Sequence, residues 1–96
     1  LNAAASMKYD IEGHFPASEN KYRELVSCTN CTDFISRRIH CKDDRHNYVH
    51  MLNSTLCANT RTLCCILETY QTEKGIMIPP ALVPYMGGVH EILFME

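Results

Sequence analysis

One stretch of this 96-residue chain has the length and period of a stable helix, and the rest must be arranged around it. From Ala58 to Gln71, Leu63, Ile66, Leu67 and Tyr70 recur at helical spacing and define one apolar face. The segment leading into it, Asn53-Ser54-Thr55-Leu56-Cys57-Ala58-Asn59-Thr60, is polar and turn-prone, and it delivers Arg61 into the first helical turn. An arginine there stands beside backbone N–H groups that have no partner within the helix, where anions collect. Its guanidinium is permanently charged and planar, so it suits a phosphate or the face of a nucleobase. The geometry points to a nucleotide pocket, although an arginine at a helix start is more often simply solvated.

Around this helix the chain reads as short extended pieces. Lys8 to Phe15 alternates, with Tyr9, Ile11 and Gly13 on one face and Asp10, Glu12 and His14 on the other, a half-buried strand stopped by Pro16. Ala17 to Lys21 is a polar connection, Tyr22 to Cys28 a second strand, and Thr29-Asn30 a turn. Thr32 is placed to cap a short helix running to Ile39. Lys42 to Asn47 reads as a charged, hairpin-like loop and Tyr48 to Leu52 as a strand. Gly75 stops the long helix. Ile76-Met77-Ile78 is a brief strand, Ala81 to Tyr85 a turn of helix, and an apolar tail follows Gly87-Gly88. Strands too far apart for tight hairpins, with one packed helix, define an α+β class built on an antiparallel sheet.

Size and charge narrow the options. Ninety-six residues make one small domain with little surplus stability. A formal charge of -2 gives no sequence-independent attraction to nucleic acid or to an anionic membrane. The longest apolar run is far short of a membrane span. The first residue is leucine, and Leu1 to Ser6 reads as the end of a helix cut through its middle, so the chain looks like a piece of something longer.

Six cysteines and two sequons, Asn30-Cys31-Thr32 and Asn53-Ser54-Thr55, admit a secreted, disulfide-stapled glycoprotein. Against it, Cys64 and Cys65 are adjacent within a helix and point about 100° apart, which suits small buried hydrophobes better than a staple framework. Reduced thiols in an intracellular protein are the preferred reading. Cys28, Cys31, His40 and Cys41 could supply four zinc ligands, but the second pair is adjacent and can hardly converge on one tetrahedral ion. Five histidines are present without a glycine-flanked serine or a Cys/His/Asn set, which argues against a hydrolase. Glu24-Leu25-Val26-Ser27 sets a carboxylate and a hydroxyl near each other, Glu24 sharing a strand face with Val26, and Leu25 with Ser27. Such a pair can hold Mg²⁺ against a substrate phosphate.

Five segments then fall into a known order: Arg23 to Phe34, Ser36-Arg37-Arg38, Val49 to Asn53, Thr60 to Glu73, and Pro84 to Gly88. Together they resemble the C-terminal part of the catalytic domain of the seryl-tRNA synthetases, of the eukaryotic cytosolic kind, over nearly the whole chain. Residues 48–71, with Arg61, resemble motif 3 of class II aminoacyl-tRNA synthetases. The resemblance implies that serine and ATP form seryl-adenylate and that the seryl group then passes to tRNA(Ser). It implies that Arg61 covers the adenine and reaches the γ-phosphate region, as the catalytic residue of this chain. Glu24, Leu25, Val26 and Ser27 become the ATP-binding strand, with Glu24 and Ser27 as Mg²⁺ ligands. Asn53 and Thr55 line the serine pocket, Thr55 meeting the substrate hydroxyl. A homodimeric, cytoplasmic parent enzyme is implied, with tRNA bound through an arm that this chain does not contain.

Motifs 1 and 2 are not in this chain, so the piece alone is expected to be inactive. His14 stands where the family has tryptophan, Ile35 where it has glutamine, and His40 to Arg45 replaces a longer, more basic segment. These departures keep open a second reading, a non-catalytic synthetase-like module that works by binding.

Overall fold

The computed structural model describes residues 2–95, so Leu1 of the leading segment and Glu96 of the apolar tail lie outside the described residues. The elements run β1 (Met7–Phe15), β2 (Lys21–Thr32), α1 (Phe34–Ile39), β3 (Met51–Ser54), α2 (Asn59–Tyr70), β4 (Gly75–Met77), a 3-10 helix (Pro80–Met86) and β5 (Glu91–Leu93). Strands β1, β2 and β3 form one sheet in that order, and β4 and β5 form another. The class is α+β, as expected. The chain divides into two compact units, one of residues 1–12 and 24–58, the other of residues 13–23 and 59–96.

In the first unit β2 pairs antiparallel with β3, Cys28 opposite Ser54, Thr29 opposite Asn53 and Asn30 opposite Leu52. The next pair is Thr32 with Met51, so Cys31 is an extra residue and the ladder bulges there. Thr29-Asn30 is therefore not a turn: both residues pair with β3, and the Asn30 carbonyl also accepts the Ser6 amide at 2.8 Å. Partners on both sides outweigh the local turn preference. Residues 2–6 hold a turn, not a helix end, with the Ala5 amide on the Asn2 carbonyl at 3.1 Å.

Helix α1 forms where expected, but its cap is Asp33, not Thr32. Thr32 sits at φ 46°, and its amide is held by the Asn30 side chain at 3.0 Å. Inside α1 the Ser36 hydroxyl, fully buried, donates to the Asp33 carbonyl at 3.0 Å. The charged loop closes as a hairpin: Lys42 bridges Tyr48, and the Asp43 carboxylate takes the Arg45 and Asn47 amides at 2.9 and 2.8 Å. That closure delays β3, which starts at Met51 rather than Tyr48.

In the second unit α2 spans nearly the expected residues, but none of them is buried, and Leu63 and Leu67 remain 57% and 44% exposed. Within this chain the helix is packed in part, with Cys65, Ile66 and Glu68 half-buried. Strand β1 is not half-buried, since Tyr9 and Ile11 are 69% and 64% exposed. Gly75 does not cap α2; it opens β4 and pairs with Leu93 of β5, a strand that the sequence showed only as an apolar tail. A Cβ at Gly75 would lie 2.2 Å from the Ile92 carbonyl oxygen, so the close approach of the two strands requires glycine. Buried apolar side chains are few: Phe15 and Cys31 are 2% and 3% exposed.

Each of the six cysteines carries a thiol, with Cys31 buried. Cys64 is exposed rather than packed as a small hydrophobe. Among the described residues no three His, Cys, Asp or Glu side chains converge on a metal position, and no helix is long and apolar enough to cross a membrane.

Candidate functional site

The first unit holds Glu24, Leu25, Val26, Ser27, Asn53 and Thr55. The four β2 residues are all half-buried. Asn53 lies directly across the ladder from Thr29, so those two side chains share a face. Just past β3, the Thr55 amide donates to the Ser27 carbonyl at 3.0 Å. The pairing thus brings the expected serine-pocket residue against the expected ATP strand, though they are 28 positions apart in sequence. Asn53 and Thr55 are exposed, open to a ligand.

Glu24 forms an ion pair with the Lys8 ammonium at 3.6 Å, and Lys8 also meets Asp10 at 3.5 Å. Alternation along β2 turns Glu24 and Ser27 to opposite faces, so sharing one ion relies on the reach of the glutamate side chain. One carboxylate and one hydroxyl are too few for an all-protein cage, but they suit a Mg²⁺ that arrives on phosphate oxygens and keeps several waters.

Arg61 belongs to the second unit, where it is the third residue of α2. It lines a cleft of about 280 Å³ together with Phe15, Ser18, Arg23, Thr60 and Cys64. Two guanidiniums and two hydroxyls border this cleft, and no carboxylate does. Arg23 lies over the Phe15 ring at 6.0 Å from the centroid, at the outer limit of a cation–π contact. A cleft with two fixed positive charges at a helix N-terminus attracts an anion with a planar or phosphorylated group. Sequence reasoning assigned no role to Arg23, Ser18 or Thr60; only the approach of the β1–β2 connection to α2 collects them.

The connection itself is held by Glu68. Its carboxylate accepts the amides of Ala17 and Ser18 at 3.1 Å each, and also the Ser18 hydroxyl. These bonds, the Ser18 hydroxyl first, draw the Glu68 carboxyl below the usual range. The His14 departure is absorbed locally: its ring stacks on Tyr22 at 5.1 Å, and Nε2 lies 2.6 Å from the Asn20 side-chain oxygen.

Comparison with known proteins agrees with this picture. Residues 1–70 match the family model described as tRNA synthetase class II core domain (G, H, P, S and T). The chain belongs to the class II aminoacyl-tRNA synthetases. Within that class its relatives are serine–tRNA ligases, which are enzymes. The Helianthus annuus protein is 60% identical over 103 residues, covering 100% of this chain and 23% of the relative. The cytoplasmic enzyme of Dictyostelium discoideum is 57% identical over 94 residues, covering 91% and 21%. Among solved structures, the cytoplasmic serine–tRNA ligase of Naegleria fowleri in complex with AMP superposes with a TM-score of 0.88 at 53% identity, covering 100% of this chain and 21% of that one. The seryl-tRNA synthetase of Pyrococcus horikoshii complexed with ATP gives 0.85 at 41%, covering 100% and 22%. The chain therefore spans about a fifth of the length of the relatives it matches.

Proposed function

We propose that this chain is the C-terminal, motif 3-bearing part of the catalytic domain of a cytoplasmic serine–tRNA ligase. The whole enzyme activates serine with ATP to seryl-adenylate, releasing pyrophosphate, and then esterifies tRNA(Ser). The observation that carries the reading is similarity over the whole of this chain to a fifth of a serine–tRNA ligase in complex with AMP, at 53% identity, in a chain whose helix start carries Arg61.

Each residue has a role that its chemistry permits. Arg61 holds the nucleotide by its planar charge and offsets the negative charge that grows on the departing pyrophosphate. Asn53 and Thr55 read serine, Thr55 through the substrate hydroxyl; a polar group left unpaired there penalises an amino acid without one. Leu25 and Val26 hold the strand that carries Glu24 and Ser27. Those two would hold Mg²⁺, which when bound supplies positive charge to the phosphate chain. Arg23 adds a second cation beside Arg61. The serine-reading pair lies on β3 and just past it, paired to the β2 strand that carries the metal candidates, so amino acid and phosphate are recognised from neighbouring strands of one sheet. The whole enzyme acts as a homodimer.

The test uses the intact polypeptide that contains this chain. Serine-dependent exchange of pyrophosphate into ATP should be robust in the wild type and fall at least about a hundredfold in Arg61→Ala. Thr55→Ala should raise the KM for serine and leave that for ATP close to its wild-type value. Equal activity of wild type and both variants defeats the reading. Residues 1–96 alone should show no exchange, because the rest of the catalytic core is absent.

A further inference from the structure

On α2, Arg61, Cys64, Cys65 and Glu68 are spaced three or four apart and share one stripe. Along that stripe lies the segment leaving β1. The Cys65 thiol reaches the His14 carbonyl at 3.3 Å, and Glu68 takes both amides and the hydroxyl of Ala17-Ser18. Phe15 and Ser18, from the same segment, line the cleft that Arg61 borders. Glu68 stands about 10 Å along the helix axis from Arg61, so it acts on the cleft through the segment it grips.

We propose that Glu68 is a positioning residue for nucleotide binding: it straps the Pro16–Ser18 turn to α2 and so fixes the cleft wall facing Arg61. The inference rests on the serine–tRNA ligase reading above. Its physical basis is the number and kind of bonds. A turn of five residues has few ladder partners for its amides, and here two of them converge on one carboxylate. Charge-assisted hydrogen bonds of this kind are roughly twice as strong as neutral ones, and they are directional. Removing the carboxylate leaves α2 holding only the end of β1, through Cys65 and His14, and frees the turn to shift relative to Arg61. The effect falls on the ligand of this cleft, ATP, rather than on serine, whose candidate residues Asn53 and Thr55 lie on β3 and just past it.

The experiment measures serine-dependent ATP–pyrophosphate exchange by the intact polypeptide carrying Glu68→Ala, Glu68→Gln, Ser18→Ala or the Ser18→Ala/Glu68→Ala pair. Glu68→Ala should raise the KM for ATP about fivefold or more while the KM for serine moves less than about twofold. Glu68→Gln, which keeps an acceptor oxygen, should recover part of that loss. Ser18→Ala should shift the same constant by about twofold, and the double variant should be no worse than Glu68→Ala, because the two residues act as one unit. If Glu68→Ala does not fold, the Gln and Ser18 variants carry the test. An unchanged KM for ATP, or equal rises for ATP and serine, overturns the inference while leaving the enzyme reading in place. An inactive wild type overturns both.

Discussion

Asp33 shows how far local sequence rules reach at the scale of one residue. Its carboxylate is bound by the Arg37 guanidinium, Nε to Oδ2 2.8 Å, one turn further on. That hydrogen bond, ahead of the charges of Arg37 and His50, holds the Asp33 carboxyl below its ordinary value. A depressed carboxyl contributes its stabilisation above the ordinary pKa and loses it as pH falls through the lowered one, so this pair is intact at neutral pH and weakens only in acid. An NMR titration of the Asp33 carboxyl carbon should show a midpoint below 3.8 that moves up in Arg37→Ala. Glu68 behaves in the same sense, and Ser18→Ala should move its midpoint up toward 4.5. Ser36, with no exposed surface, gives the steric counterpart. Ser36→Val adds volume where none is free and should cost about 1–3 kcal/mol in urea unfolding of the intact polypeptide. None of this was visible in the sequence, which put the cap one residue early. Cap identity depends on the backbone angle at Thr32, and the bulge at Cys31 sets the neighbouring register.

At the scale of elements, long periodic segments were legible and short ones were not. The period of α2 located it to within a residue or so, because twelve residues give three turns of pattern. The β5 strand was missed because three residues carry no period at all, and its existence depends on Gly75 allowing β4 to approach. Gly75→Ala should therefore separate β4 from β5. Loss of protection of the Phe94 amide, which is bonded to the Lys74 carbonyl at 2.9 Å, would report it in hydrogen exchange. The candidate site divided in the same way. Arg61, Asn53, Thr55 and the β2 residues came from motif order, whereas Arg23, Ser18 and Glu68 depend on a contact between segments some fifty positions apart. The apolar face of α2 was read correctly, and this chain leaves much of it uncovered. Leu63→Ala should accordingly cost under about 1 kcal/mol in residues 1–96 studied alone, against the 2–5 kcal/mol of a buried leucine. Denaturant unfolding of the isolated chain measures the difference.

For the whole molecule, surface area is the governing quantity. The chain exposes 7592 Å², where a folded monomer of 11.0 kDa exposes about 5,600 Å². Much of the surplus is apolar: Tyr9, Ile11, Leu56, Leu63 and Tyr85 are all more than half exposed. A groove of about 610 Å³ between Tyr70, Met77, Val83 and Pro84 is also open. A domain with so few buried side chains has little to set against its conformational entropy. Residues 1–96 on their own should bind a hydrophobic dye and sediment as concentration-dependent oligomers. A monodisperse monomer without dye binding would contradict this. One bond shapes how such an enzyme can change. Because the Thr55 amide donates to the Ser27 carbonyl, the residue proposed to inspect the amino acid and the strand proposed to meet the nucleotide are tied by one backbone hydrogen bond. On the proposed reading, a substitution that shifted this backbone to alter amino-acid preference would also displace the strand that meets the nucleotide, so the two properties would change together.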